Sequence, residues 1–143
     1  MSSMPATRVA PLAPSPMPSK EQRRQAIEAL YATAYWLLSR ARPHDAADVF
    51  RAMAFFAPAD ERGWLGLGTA HEHMDQPNLA VEMYGVGFAM AGSVRCELAR
   101  ARALRAVGQD DAATEALIRA EVAADEKDDD DLRRLVRQEA RQP

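Results

Sequence analysis

Apolar and polar residues follow a helical periodicity along most of the chain. After Ser19, apolar side chains recur at spacings of three and four residues: Ile27, Leu30, Tyr31, Ala34, Tyr35 and Leu38. Such spacing places them on one face of a helix. Because serine is a favoured helix N-cap, a helix of about 20 residues is predicted to begin at Ser19. The same periodicity, together with caps and turns, predicts further helices at about 44–57, 61–74, 77–91, 94–107 and 110–124.

A second pattern repeats after 34 positions. The segment from Trp64 to His71 reads WLGLGTAH, and Ala80 and Tyr84 follow it. A large residue, a glycine, and a later alanine and aromatic at this spacing are typical of tetratricopeptide repeats, where they fill the seam between paired helices. The residues 34 positions before Trp64, Gly68, Ala80 and Tyr84 are chemically similar: Leu30, Ala34, Ala46 and Phe50. Pro43 and Pro77 are related in the same way, each at the expected start of the second helix of a pair.

A third, degenerate copy follows 33 positions after the second, with Ala101, Ala113 and Leu117 at the landmark positions. Terminal repeats are usually atypical. The predicted fold is therefore all-α: a tetratricopeptide-repeat solenoid of three helix pairs, with repeats at about 27–60, 61–93 and 94–124. A short apolar stripe suits a C-terminal capping helix over the last repeat; its members are Leu132, Leu135 and Val136.

The predicted repeat domain, residues 19–124, lies between two segments of different composition. Residues 1–18 contain five prolines among small residues, so we expect a flexible proline-rich arm. Residues 125–143 open with seven consecutive charged residues, which resist burial without partners. We expect an acidic linker or helix start there, followed by the capping helix or a tail. Four arginines of this segment are expected to face water: Arg133, Arg134, Arg137 and Arg141.

Composition and charge narrow the classes of function. Hydrophobic residues make up 48% of the 143 residues, which is enough for one packed domain. A formal net charge of −3 gives no overall attraction to nucleic acid or to an anionic membrane, so we expect no nucleic-acid partner and no direct membrane insertion. The single Cys96 cannot form an intramolecular disulfide, and no segment has the pattern of a secretory signal. A reducing cytoplasm is the expected location.

One histidine cluster contains residue types that bind metals. His71, Glu72 and His73 are consecutive, and Asp75 follows them. A metalloprotease helix needs its two histidines four residues apart on one face, whereas these are two apart and diverge. His71 also stands where the repeat places a packed aromatic. We therefore interpret His71 as a structural histidine rather than a metal ligand.

Other candidate motifs also have structural interpretations. Gly66 with Gly68, and Gly85 with Gly87, do not follow predicted strands or complete a phosphate-binding fingerprint, so they are interpreted as glycines at helix contacts. Cys96 has no histidine nearby in the chain and is interpreted as an inert thiol. The aspartate run lacks the glycine and terminal glutamate of a calcium loop. The sequence predicts no catalytic residue, no metal site and no cofactor.

Function is instead expected in the groove that stacked helix pairs create, because the first helix of each pair lines a concave face. The predicted groove positions are Tyr31, Tyr35 and Leu38 in the first repeat, Leu65, Thr69 and Glu72 in the second, and Arg95, Leu98, Arg102 and Arg105 in the third. Aromatic and arginine side chains often anchor interfaces. The alternative is that some of the tyrosines and leucines belong to the core. At the cationic end, Arg102 and Arg105 are expected to attract acidic residues that flank the anchors of a bound segment.

The stretch from Leu30 to Gly108 resembles a known family, the class II chaperones of bacterial type III secretion (the SycD/LcrH/CesD group). The middle block carries most of the resemblance: Trp64–Gly68, Gln76, Leu79–Val81, Tyr84, Gly87 and Met90. The resemblance implies a three-repeat, cytoplasmic bacterial chaperone that holds hydrophobic translocator proteins before secretion. It also implies that an extended, proline-containing segment of the client binds in the concave groove.

Two alternatives from other classes stay open. One is an assembly adaptor, such as a needle-subunit cochaperone or a general tetratricopeptide scaffold, which would bind a helical partner. The other is an RNA-binding or regulatory protein that uses the arginines of the third repeat, although the acidic residues beside them disfavour high affinity. Formation of a homodimer is also open, because the proline-rich arm stands in place of the family's extra first helix, which often serves self-association.

Overall fold

Seven helices make up the regular structure of the described residues. The computed structural model describes residues 3–5, 9–14 and 16–143. The helices are α1 (Lys20–Ser39), α2 (Pro43–Phe56), α3 (Glu61–His73), α4 (Pro77–Ala91), α5 (Val94–Ala106), α6 (Asp110–Glu126) and α7 (Asp130–Ala140). No strand occurs within these ranges, and the predicted all-α class is confirmed.

Local sequence signals set the helix ends. Ser19 and Gln22 form a capping box, in which each side chain accepts a hydrogen bond from the other residue's backbone N–H, at 3.1 and 2.8 Å. Pro43 and Pro77 occupy the first positions of α2 and α4, where no backbone donor is needed. Side chains cap three further helices: Asp60 for α3, Ser93 for α5 and Asp129 for α7. These signals are local, and the predicted bounds of the first six helices agree with the observed ones to within two residues.

The helices stack as three consecutive pairs with α7 added at the end. Each helix packs against the next one in the chain, and α1 contacts α3, α3 contacts α5, and α5 contacts α7. The odd-numbered helices therefore form one layer and the even-numbered helices α2, α4 and α6 the other. The first core cluster joins the first pair to α3, through Leu37, Phe50 and Leu67 among others. This arrangement confirms the predicted helix-pair solenoid.

Glycines allow the closest contacts between neighbouring helices. A Cβ atom on Gly66 would lie 2.1 Å from the ring of Phe50, and one on Gly68 would lie 2.2 Å from the ring of Tyr84. A Cβ atom on Gly87 would lie 2.5 Å from the sulfur of Cys96. Gly85 does not fit the prediction of a helix-contact glycine. Its nearest neighbour would be the flexible Arg100 side chain at 3.4 Å, because this position points away from the helix seam.

Helix α7 caps the third repeat, as predicted. Leu132 and Val136 are buried against Val94 of α5 and Ala120 of α6. The charged run is divided between the end of α6, the connecting residues and the start of α7. Arg133, predicted to face water, is 27% exposed at the surface and is bound by three carboxylates at 2.8–2.9 Å; they belong to Asp125, Asp128 and Asp130.

The described residues before α1, namely 3–5, 9–14 and 16–19, have no regular secondary structure and are exposed. The flexible arm predicted at 1–18 also includes residues 1–2, 6–8 and 15, which lie outside the described part of the chain. Among the helices described, none combines the length and the apolar character that crossing a bilayer requires.

Candidate functional site

A cavity of about 930 Å³ opens on the face formed by the odd-numbered helices. Helices α3 and α5 form its floor, and α7 with the residues after it forms one wall. Seven of the predicted groove residues line it: Leu65, Thr69, Glu72, Arg95, Leu98, Arg102 and Arg105. The lining also includes Tyr84, Ala99, Ala106, Leu135, Gln138, Glu139, Gln142 and Pro143. The structure therefore brings together the predicted positions of the second and third repeats.

The three predicted positions of the first repeat lie outside this cavity. Leu38 is partly buried against the first core cluster. Tyr31 also packs against that cluster, whereas the Tyr35 side chain is 55% exposed. The rings of Tyr31 and Tyr35 meet edge to face, with centroids 4.9 Å apart. Tyr35 therefore remains the most accessible of the three.

Arg62 links Tyr31 to the second repeat. Its guanidinium carbon lies 4.7 Å from the centroid of the Tyr31 ring, and its nitrogens bind the carboxylates of Glu28 and Asp60 at 2.9 and 2.8 Å. Hydrogen bonds from Arg62 lower the pKa values of both Glu28 and Asp60. A cation over an aromatic ring fixes the ring's orientation. Arg62 thus holds Tyr31 in place at the first-repeat end of the concave layer.

The middle of the cavity is apolar and ordered by a short hydrogen-bond chain. The hydroxyl of Thr69 donates to the backbone carbonyl of Leu65 at 2.9 Å and lies 3.4 Å from the hydroxyl of Tyr84. Burial of Tyr84 raises the pKa of its phenol well above the usual range. This phenol therefore stays protonated. Leu65 supplies apolar surface beside it, whereas Leu98 is only 5% exposed and packs in a core cluster, the alternative that the sequence left open.

The cationic end is occupied by internal ion pairs. Arg102 and Arg105 both bind the carboxylate of Glu139 on α7, Arg102 at 3.2 Å. Arg105 also donates to the backbone carbonyls of Glu139 and Gln142, at 3.3 and 3.0 Å. Arg95, at the other side of the cavity, binds Glu61 at 3.1 Å. Each arginine that lines this cavity therefore has a carboxylate partner within the protein.

Three ion pairs between odd-numbered helices share one sequence separation. Glu28 with Arg62, Glu61 with Arg95, and Arg105 with Glu139 are each 34 residues apart. This is the repeat period, so each pair joins neighbouring odd-numbered helices: α1 with α3, α3 with α5, and α5 with α7. In its stacking, α7 occupies the place of the first helix of a fourth repeat. A 34-residue step from Arg105 would have identified Glu139 from the sequence.

Several residues of the site were not predicted from the sequence. Tyr84 was assigned only to the helix seam, although it also lines the cavity. Leu135 and Glu139 line it too, and their spacing to Leu132 and Val136 places Glu139 on the buried stripe of α7. That periodicity was a usable signal, because a carboxylate on an apolar stripe needs a partner.

The residues considered for metal or nucleophilic chemistry occupy structural positions. His71 is buried, and its Nδ1 lies 2.8 Å from the Oε1 of Gln76. Cys96 is fully buried, and this burial raises the pKa of its thiol to about 11. Within the described residues, no three His, Cys, Asp or Glu side chains are arranged to hold a metal ion.

The fold is shared with solved structures of secretion chaperones. SycD, the type III secretion translocator chaperone of Yersinia enterocolitica, superposes with a TM-score of 0.72 at 26% identity, over 84% of this chain and 89% of that one. SycD in complex with a peptide of the translocator YopD gives 0.62 at 24% identity, over 81% and 95%. PcrH, known from Pseudomonas aeruginosa, in complex with the chaperone binding region of PopB gives 0.67 at 22% identity, over 86% and 98%. Neither a protein-family model nor a curated sequence matches the chain.

The structural neighbours confirm the predicted resemblance. The chain has the helical fold of type III secretion translocator chaperones along most of its length.

Proposed function

We propose that this protein is a cytoplasmic chaperone of a bacterial type III secretion system, which binds an extended segment of a translocator protein in its concave groove. In this role it keeps the translocator soluble until secretion. The main support for the proposal is the cavity, because seven of its lining residues were predicted from the sequence to bind a client. Neighbours with the same fold supply the second support, since two of them were solved with translocator segments bound.

The lining chemistry of the cavity suits an extended peptide. Its volume of about 930 Å³ falls within the range of about 300–1,000 Å³ for ligand pockets. Leu65 and Leu135, which are only partly buried, offer apolar surface for anchoring side chains. An extended peptide leaves its backbone groups unpaired, so it needs polar partners along its path. Gln138 and the exposed part of Arg102 provide donors beside the apolar surface.

The role proposed is binding without catalysis. Its site needs no cofactor, because apolar contact and hydrogen bonds supply the affinity of peptide-binding grooves. The most nucleophilic residue type in the chain, Cys96, is fully buried with a raised pKa near 11, so its thiolate is scarce at neutral pH. A reducing cytoplasm fits this single buried thiol.

Co-expression with a translocator from the same secretion system tests the proposal. The measured quantity is the soluble fraction of the translocator in the presence of the wild-type chaperone, of Leu65→Ala, and of Ile118→Ala. Leu65 lines the cavity, whereas Ile118 is an exposed aliphatic residue on α6 outside it, so the second variant is a matched control. We expect the wild type and Ile118→Ala to keep the translocator soluble and Leu65→Ala to do so less well. A translocator that is equally soluble without the chaperone would contradict the proposal.

A further inference from the structure

We propose that Glu139 sets the charge preference of the groove: by binding Arg102 and Arg105, it weakens the attraction of this end for acidic residues of a client segment. The inference rests on the proposed function and specifies the chemistry of the client. It reverses the expectation from the sequence, in which these two arginines attract acidic residues.

The geometry of the arginine pair limits the nitrogens that a client can reach. The side chain of Arg105 is only 19% exposed, and its nitrogens are directed to the Glu139 carboxylate and to the backbone carbonyls of Glu139 and Gln142. Arg102 is 67% exposed and shares the same carboxylate at 3.2 Å. A client carboxylate would therefore reach only the outer nitrogens of Arg102, because those of Arg105 are already used.

Glu139 binds the two arginines more readily than a carboxylate of a client can. Its side chain is 10% exposed, on a helix that Leu132 and Val136 anchor to the third repeat. Because Glu139 is part of the chain, its pairing with the arginines requires no loss of translational freedom, whereas a client carboxylate must overcome that loss. Glu139 thus neutralises one of the two positive charges that this arginine pair presents to a ligand.

The ionisable groups that line the cavity carry charges of both signs. The three arginines face two glutamates, Glu72 and Glu139. A second carboxylate brought close to Glu139 meets like-charge repulsion in a partly desolvated site. Removing the Glu139 charge would leave Arg102 and Arg105 free to bind an acidic residue, whereas Arg95 would keep its partner Glu61. The reduced attraction for acidic segments thus depends mainly on one side chain.

Selection from a random 12-residue peptide display library tests the inference without knowledge of the client. The full-length wild type, Glu139→Gln, Glu139→Asp and Glu126→Gln are used in parallel, and only peptides that Leu65→Ala fails to retain are counted as groove binders. Glu126 is exposed at the end of α6, so its variant has the same change in net charge away from the cavity. The readout is the frequency of aspartate and glutamate among the selected peptides.

We expect Glu139→Gln to select clearly more acidic peptides than the wild type, and Glu139→Asp and Glu126→Gln to select like the wild type. In titrations, Glu139→Gln should bind an aspartate-containing peptide about three- to tenfold more tightly than its asparagine counterpart. The exposed Arg102 allows an opposite test with little risk to folding, and Arg102→Gln should select fewer acidic peptides than the wild type.

Equal acidic content in all selected sets would overturn the inference while leaving the chaperone proposal intact. Failure of every protein to yield peptides that depend on Leu65 would instead contradict the proposed function. Limited trypsin digestion provides a further check, because α7 contains Arg133, Arg134 and Arg137. A change in preference that accompanies rapid cleavage of α7 in Glu139→Gln would overturn the inference, since loss of the wall would then explain it.

Discussion

At the residue scale, the positions that matter most to helix stacking are glycines, which have no side chain. Gly66, Gly68 and Gly87 each accept a neighbouring side chain in the space that a Cβ atom would fill. Well-packed interiors tolerate added volume poorly, because neighbours must leave their preferred rotamers. Gly66 and Gly68 therefore help to place α3 against both α2 and α4, through the rings of Phe50 and Tyr84.

Alanine substitution separates this packing role from helix propensity. Gly68→Ala would place a Cβ atom 2.2 Å from the buried Tyr84 ring, whereas Gly85→Ala would meet only the flexible Arg100 side chain at 3.4 Å. Both variants gain similar helix propensity, up to about 1 kcal/mol. We expect the free energy of unfolding of Gly68→Ala to fall about 1–3 kcal/mol below that of Gly85→Ala. Chemical denaturation followed by circular dichroism measures both, and equal stabilities would refute the close contact.

At the element scale, α7 combines a structural and a functional position. Its apolar stripe covers the end of the third repeat, and Glu139 on the same stripe reaches the arginines of α5. The charged run before it is organised by Arg133, which binds three aspartates, and by Asp129, whose side chain accepts from the backbone N–H of Leu132 at 3.0 Å. Local polar contacts therefore start this short helix, and tertiary contacts hold it.

Removal of the N-cap Asp129 tests how far the stability of α7 depends on its N-terminal capping hydrogen bond. Asp129→Ala deletes the acceptor for the Leu132 N–H and should lower stability by about 1 kcal/mol, the usual effect of losing an N-cap. The neighbouring Asp131→Ala is the control, since Asp131 is 78% exposed and contacts only Arg134, at 3.3 Å. Hydrogen exchange should show faster exchange in α7 for the first variant alone. Identical exchange in the two variants would mean that tertiary contacts by themselves maintain the helix.

At the scale of the whole molecule, the odd-numbered helices create a continuous surface whose character changes along its length. Tyr31 and Tyr35 lie at one end, Leu65 and Thr69 in the middle, and the arginines that Glu139 binds at the other end. Ion pairs between positions 34 residues apart tie successive odd-numbered helices together on this layer. The surface therefore combines apolar anchoring sites with polar cross-links that keep its curvature.

Peptide titration measures which part of this surface binds a client. A peptide from the chaperone-binding region of a translocator is titrated against the wild type, Leu65→Ala, Tyr31→Ala and Ile118→Ala. If Leu65 and Tyr31 anchor the peptide, each alanine should weaken binding by about 5–150-fold, because an anchor contributes about 1–3 kcal/mol. Ile118→Ala should bind like the wild type.

The circular dichroism spectrum of each free variant controls for folding in these titrations. Weakening by Leu65→Ala alone would confine the client to the cavity and exclude the first repeat. Equal affinities of all four proteins would move the search to the even-numbered helices or to the arm. Gain of helical signal on binding would favour the adaptor alternative, whose partner binds as a helix.

The sequence by itself determined the helices, their order and their pairing into repeats. Ser19, Pro43 and Asp60 act on backbone groups within a few residues, so their effects can be recognised without knowledge of distant contacts. The 34-residue period then follows from identical stacking of successive pairs, and it also located the middle and third-repeat positions of the cavity.

Only the tertiary structure decided which groove positions remain available to a ligand. Leu98 is buried in a core cluster, and Arg105 is directed to Glu139 on a helix that the sequence assigned only to capping. The physical reason is that burial and charge pairing depend on the separation of side chains in space. Periodicity assigns a residue to a face of its helix, but the neighbouring helix determines whether that face meets solvent, a core side chain or a carboxylate.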